Sequence, residues 1–203
     1  MKPFSLSKRS VLLAAAAALA LAGCSTPREP ADPADPRLSV VFGYFDMKQA
    51  PSPVEWLSLK SYGSDAHNGY TLPGEKGLFL HVAVEPGAYQ VDRFGGMSGV
   101  RVGGISFFGS NHQYSYSALG RNDTAIRITR PGAYYLGAYE YVANRRGWLE
   151  QDEFEMRPLP APDERELLLK VQHRFETDSR LQPYTHQLDL VRRRVAELSR
   201  LRP

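Results

Sequence analysis

The run Gly77-Leu-Phe-Leu-His-Val-Ala-Val84 has a period of two. In an extended chain Leu78, Leu80, Val82 and Val84 share one face, and Phe79, His81 and Ala83 share the other. The same pattern recurs in short pieces. Leu38, Val40, Phe42 and Tyr44 alternate with Ser39, Val41, Gly43 and Phe45, and further candidates span Val54–Lys60, Tyr89–Phe94, Ile105–Phe108, Gln113–Ser117, Thr124–Thr129 and Tyr134–Val142. The 17 glycines and 15 prolines of this 203-residue chain supply turn signals between the pieces. Such an order predicts an antiparallel β-sandwich-like domain over residues 38–157, large enough to enclose a core. The single cysteine, Cys24, excludes an internal disulfide framework and a cysteine-based metal site.

One internal echo fits this class. Glu85-Pro-Gly-Ala-Tyr-Gln-Val91 returns as Arg130-Pro-Gly-Ala-Tyr-Tyr-Leu136, 45 residues later. Proline presets φ at the second position of a type II turn and glycine supplies a positive φ at the third, so both copies read as tight reversals that launch a strand. A strand, Pro-Gly-x-Tyr and another strand resembles the small β-sandwich modules of the transthyretin-like and carboxypeptidase-regulatory type. That resemblance implies an architecture and no ligand. Two divergent copies do not make a propeller or a solenoid.

Past Trp148 the pattern changes. Pro158-Leu-Pro-Ala-Pro162 is a stiff connector, and Asp163 with Glu166 three residues on resembles a capping box. A helix is expected from there, with Leu167, Leu168, Val171 and Phe175 as its apolar stripe. After a break near Asp178 to Pro183, a second stripe runs through Leu188, Val191, Val195 and Leu198. Two amphipathic helices over 158–203 therefore follow the sheet. Arg192-Arg193-Arg194, flanked by Asp189 and Glu197, reads as a solvated helix face with intrahelical pairs rather than a basic binding patch.

The N-terminus carries an address. Lys2, Lys8 and Arg9 precede an uncharged Val/Leu/Ala run from Val11 to Ala22, too short for the roughly 20 residues of a membrane-spanning helix. The run ends in Leu21-Ala22-Gly23-Cys24, which resembles the lipobox of bacterial lipoproteins. The resemblance implies that 1–23 is a signal peptide, that Cys24 is lipidated, with acyl groups such as palmitate, and that the new N-terminus is acylated. Ser25 stands where inner-membrane-retained lipoproteins carry Asp, which implies the outer membrane. The alternative is an ordinary secretory signal with an incidental Cys24. Residues 24–37, with a repeated Ala-Asp-Pro unit, form either a polyproline tether extended at about 3.1 Å per residue or a plain disordered tail. Loss of the three signal-peptide cations leaves 22 basic and 22 acidic side chains, so the mature chain lacks a net positive field for nucleic acid.

No catalytic motif emerges. His67, His81, His112, His173 and His186 lack metal-ligand spacing on a helix, and no metal or other cofactor is expected. Gly95-Gly-Met-Ser-Gly-Val100 lacks the second glycine of a nucleophile elbow, so Ser98 reads as a loop residue. No phosphate-binding glycine order is present, and no carboxylate pair stands out among the 22 acids. The aromatic residues have the best claim to binding. His112, Tyr114 and Tyr116 alternate on one candidate strand, while Tyr134, Tyr135, Tyr139 and Tyr141 crowd another. Of these, His112, Tyr114, Tyr116, Tyr139 and Tyr141 are the candidate contacts for a ligand or partner, through stacking or hydroxyl groups; packing of the sandwich core and rim is their structural alternative. The expected function is a lipid-anchored, non-enzymatic structural or protein-interaction role at the outer membrane, facing the periplasm. Its rivals are a module that binds a glycan or small ligand, and a hydrolase with a non-obvious site.

Overall fold

A computed structural model describes residues 31–50, 52–61, 69–102, 105–115, 125–144 and 153–201, of which 97–102, 105–115, 144 and 153 are described by their backbone alone. Nine strands run in chain order: β1 (Ser39–Asp46), β2 (Trp56–Ser61), β3 (Tyr70–Glu75), β4 (Leu78–Val84), β5 (Gly87–Val102), β6 (Ile105–Ser115), β7 (Ala125–Ile128), β8 (Ala133–Asn144) and β9 (Glu153–Pro158). Two helices follow, α1 (Glu164–Thr177) and α2 (Thr185–Leu201). The fold is mainly β with two C-terminal helices, as the sequence pattern predicts. One continuous sheet has the order β6-β5-β2-β3-β4-β1-β8-β9, with β7 paired to β5. The sheet is mixed, because β1 runs parallel to β8, Val40 opposite Ala133 and Phe45 opposite Tyr139, while the other pairings are antiparallel.

The sheet curls so that its two halves enclose an inner core. Val41 and Phe45 of β1, Leu57 and Leu59 of β2, Leu72 of β3, Phe79 of β4, Val91 and Phe94 of β5, Ile128 of β7, Leu136 and Tyr141 of β8, and Met156 of β9 meet there. Phe45 is at its centre, edge-on to Phe79 at 5.1 Å and to Phe94 at 4.9 Å. The opposite face of β1 and β4 carries Val40, Phe42, Leu78, Leu80 and Val82, which pack against Leu167, Leu168, Val171 and Phe175 of α1 and Val191 of α2. The alternation in β4 holds through Val82 and then fails. Val84 joins the inner core, because the pairing with β1 slips between Val41–His81 and Ser39–Val84 and reverses the facing of the last residue. Inside that slip the His81 ring accepts the Ala83 N–H at Nδ1, 3.1 Å away.

Strands β3 and β9 escape the sequence pattern. Tyr70-Thr-Leu-Pro-Gly-Glu75 contains a Pro-Gly pair that reads as a turn, yet Pro73 pairs with Trp56 in an otherwise regular ladder. The tight hairpin lies just after it. Lys76 at φ 50° and Gly77 at φ 85° join β3 to β4 through two residues, the turn whose twist suits paired strands. The glycine segment around Gly95 and Gly96 continues as part of β5 rather than forming a loop.

The two Pro-Gly-Ala-Tyr copies are corners and not reversals. Pro86-Gly87 carries the chain from β4 to β5 and Pro131-Gly132 carries it from β7 to β8, and neither pair of strands is adjacent in the sheet. Neither glycine has a positive φ; among the described glycines only Gly77 and Gly137 do. Their role is spatial. The Tyr89 hydroxyl donates to the Glu85 carbonyl at 3.1 Å, and the Tyr134 hydroxyl donates to the Arg130 carbonyl at 2.7 Å, four residues back in each case. Each ring thus lies over the glycine. A Cβ on Gly87 would meet the Tyr89 Oη at 2.8 Å, and one on Gly132 would meet the Tyr134 Cε2 at 3.1 Å. This is the geometry of a tyrosine corner, built twice from one sequence motif.

The helices start and pack as their sequence indicates. Asp163 accepts the Glu166 N–H at 2.9 Å and Glu166 returns the contact by accepting the Asp163 N–H at 3.1 Å, which completes the capping box. Leu167, Leu168, Val171 and Phe175 are all buried. In α2 the buried set is Gln187, Leu190 and Val191, with Leu188, Val195 and Leu198 partly covered. Gln187 is wholly buried, and its Nε2 donates to the Asp35 carbonyl at 3.3 Å, tying α2 to the segment that leads into β1.

Removal of the chain after Pro160 would uncover Val40, Phe42, Leu78, Leu80 and Val82. At roughly 1.5–3 kcal/mol for each large apolar side chain, the loss rivals the whole stability of a domain, about 5–15 kcal/mol. The truncated chain should therefore aggregate or lose cooperative unfolding in a urea titration; a soluble domain with an unchanged transition would refute the packing role of the helices. The corners make a second prediction. Gly→Ala normally stabilises through the unfolded state by about 0.4–1 kcal/mol. Gly87→Ala should instead destabilise by about 1–3 kcal/mol through displacement of the Tyr89 ring, and Tyr89→Phe by about 1 kcal/mol through the lost hydrogen bond, both read from urea midpoints.

Candidate functional site

The second tyrosine corner forms one wall of an open cleft of about 660 Å³. Strand β7 turns Ile128 into the inner core, and alternation then leaves Arg127 exposed. Arg130 opens the corner that follows. The opposite wall is α2, where Leu190, Arg193, Arg194 and Glu197 line the cleft at positions i, i+3, i+4 and i+7 of one helical stripe. Glu164 from the first turn of α1 and the rings of Tyr134 and Tyr135 complete the lining.

The charges in this cleft are unequally matched. Arg194 takes both carboxylates: its Nε and Nη2 donate to the two Glu164 oxygens at 2.8 and 3.1 Å, and its Nη1 donates to Glu197 Oε2 at 3.1 Å. These bonds, led by the one to Glu164, hold the Arg194 guanidinium above its ordinary pKa. Arg127, Arg130 and Arg193 remain, and among the described residues none of the three has an ion-pair partner. Arg192, by contrast, faces away between Asp189 and Glu176 at 3.7 Å each. The expected intrahelical pairs are present for Arg192 with Asp189 and for Arg194 with Glu197, and each of the two arginines also reaches a glutamate of α1, whereas Arg193 lines the cleft without an ion pair among the described residues. Tyr135 stacks on Phe42 at 5.6 Å and donates to the Pro162 carbonyl at 3.4 Å. Burial, aided by the nearby Glu164 charge, pushes its hydroxyl up to about 12.

Two other clefts flank the helices. One, of about 550 Å³, runs between α1 and the β3–β4 hairpin and has an apolar floor of Tyr44, Leu78 and the exposed Leu169, with Lys76, Lys170 and His173 at its rim. The other, of about 330 Å³, lies between the His81 region of β4 and the α1–α2 connector. Its cations are paired: Arg174 reaches Glu75, which lines the first of these two clefts, at 3.3 Å, and Arg180 holds Asp178 through its side chain at 2.7 and 3.0 Å and through its own backbone N–H at 3.0 Å.

The residues singled out in the sequence are distributed differently. Cys24, His67 and Tyr116 lie outside the described residues. His112 and Tyr114 belong to β6, opposite Gly96 and Phe94 of β5, and Ser98 is a strand residue of β5. Tyr139 is half-buried and edge-on to Phe45 at 5.9 Å. Tyr141 is 3% exposed and stacks on Phe154 at 5.2 Å within the inner core. The arginine cleft is not among the sequence candidates, although the spacing of Leu190, Arg193, Arg194 and Glu197 marks one face of a helix. Among the described residues no group of three His, Cys, Asp or Glu side chains is placed to hold a metal ion, and no helix is long and apolar enough to cross a membrane.

The Asp178–Arg180 pair gives a pH prediction. Hydrogen bonds from the Arg180 side chain and then its backbone lower the Asp178 carboxyl from 3.8 to about 2. A depressed folded-state pKa means that the pair's contribution is complete above the unfolded value and disappears as pH falls through about 2. NMR titration of the Asp178 carboxyl should give that midpoint, and Arg180→Ala should return it toward 3.8.

No known protein family, curated protein or solved structure matches the chain.

Proposed function

We propose that this chain is a lipid-anchored cell-envelope protein that acts by binding rather than by catalysis, held at the bacterial outer membrane through Cys24 and facing the periplasm. The observation that carries the reading is Leu21-Ala22-Gly23-Cys24 at the end of a short apolar run preceded only by cations. Lipid chains contribute roughly 0.8 kcal/mol per buried CH₂, and two or more anchor stably, so the folded body is free to present its own surface to a partner. The body supports that division of labour. Its helices are sealed to the sheet by an apolar layer, and its open cleft is framed by rigid elements: a tyrosine corner on one side and two cross-linked helices on the other. Such a preformed concave surface suits recognition, because little order has to be created on binding.

Cys24→Ala tests the anchor. The variant should lose metabolic labelling with a fatty acid and should leave the outer-membrane fraction; the same fractionation as the wild type would overturn the reading. Crosslinking in cells, with the mislocalised variant as control, should then identify an envelope component whose capture depends on Cys24.

A further inference from the structure

We infer that the cleft between the Arg130–Gly132 corner and helix α2 is a binding site for a phosphate group, held by Arg127, Arg130 and Arg193.

The argument starts from the stoichiometry of charge. Four arginines and two glutamates line the cleft. One guanidinium, that of Arg194, already satisfies Glu164 through both oxygens and reaches Glu197 as well. The one guanidinium of Arg194 therefore serves both carboxylates of the cleft. Three further guanidiniums contributed by three separate elements, β7, the corner and α2, are more than a second carboxylate could engage with its two oxygens. A phosphate presents three or more oxygens in a tetrahedral arrangement, and planar guanidinium forks match it from several directions. The volume of about 660 Å³ accommodates such a group with an organic substituent attached.

The supports of the three arginines are rigid. Ile128 anchors β7 in the inner core one residue from Arg127. The Arg130 carbonyl is fixed by the Tyr134 hydroxyl, while Gly132 donates its N–H to Ser39 Oγ at 3.3 Å and accepts the Val40 N–H at 2.9 Å. Val191, two residues before Arg193, is fully buried against the sheet. The backbone beneath each cation is thus fixed before a ligand arrives, which limits the ordering needed for binding to the arginine side chains themselves.

Phosphate chemistry has two sources, an anionic phospholipid headgroup or a soluble phosphate-bearing molecule. β1, the first strand after residues 24–37, is hydrogen-bonded through Ser39 and Val40 to Gly132 in the wall of this cleft. That favours the headgroup, a source that rests on the lipid-anchored reading above; the phosphate chemistry does not.

Isothermal titration of the full-length chain in a non-ionic detergent tests the site, with inorganic phosphate as one probe and short-chain phosphatidylglycerol below its micellar concentration as the other. Saturable binding of at least one probe is expected. It should weaken by about tenfold or more in the Arg127→Gln/Arg193→Gln double variant and remain unchanged in Arg200→Gln, an exposed arginine outside the cleft. Arg194→Gln, which frees Glu164 and Glu197, should also weaken it. Binding of the lipid alone assigns the headgroup; comparable binding of inorganic phosphate assigns a soluble ligand. No saturable binding of either probe, an unchanged affinity in a double variant that retains the wild-type circular dichroism spectrum, or equal affinity for acetate would overturn the proposal. The titration does not depend on where Cys24 takes the protein, so its failure and a failure of the anchor reading are separate results.

Discussion

The structure depends on one strand being apolar on both faces. In β1, Val41 and Phe45 enter the inner core while Val40 and Phe42 face the helices, and all four are almost inaccessible to solvent. A strand with two buried faces needs cover on both, and this chain provides it in two ways. The sheet curls until its far half covers one face, and the C-terminal helices cover the other. The hydrophobic gain on each side therefore depends on the same short segment. β1 also supplies the one parallel pairing of the described sheet, to β8, which brings the strand after the second corner beside the first strand of the body.

The two tyrosine corners solve the connection problem that this arrangement creates. A chain that must pass between distant strands of a curled sheet has to turn without the ladder of a hairpin to guide it. The ring of Tyr89 or Tyr134 folds back over a glycine and caps the carbonyl four residues earlier, so the turn supplies its own hydrogen bond. Each corner is also tied to a neighbour: the Glu85 N–H donates to the Tyr70 hydroxyl at 3.0 Å, and the Gly132 N–H to Ser39. Glycine is required there for the space above its Cα, and not for a left-handed backbone. At the second corner the same rigidity serves recognition, since Arg130 and Gly132 belong to the wall of the arginine cleft.

The cleft also shows how a nearly neutral protein creates a local field. The net charge of the chain says little, because Arg194 draws Glu164 and Glu197 to itself and leaves its neighbours unmatched. Among the described residues several other charges are paired with near neighbours, as in Asp35–Arg37, Asp46–Lys48 and Asp178–Arg180, where two residues along the chain suffice to close the contact. Ion pairs of that exposed type contribute little to stability. In the corner cleft, by contrast, Arg127, Arg130 and Arg193 come from three separate elements and carry no such pair among the described residues.

Local patterns determined much of this protein directly. Period-two runs marked β1, β4 and β8, the Asp163–Glu166 spacing marked the start of α1, and Leu167, Leu168, Val171 and Phe175 marked its buried face, because alternation and capping act over a few residues. The tertiary structure decided what required distant partners. It turned Val84 inward through a slipped register and admitted Pro73 to a strand through its pairing with Trp56. It made two apparent reversals into corners and placed Tyr141 against Phe154 in the core. The three arginines of the cleft belong to the same class. Arg127 and Arg130 lie more than sixty residues from Arg193 in the chain, and no short-range pattern records a convergence that exists only once the helices close over β1.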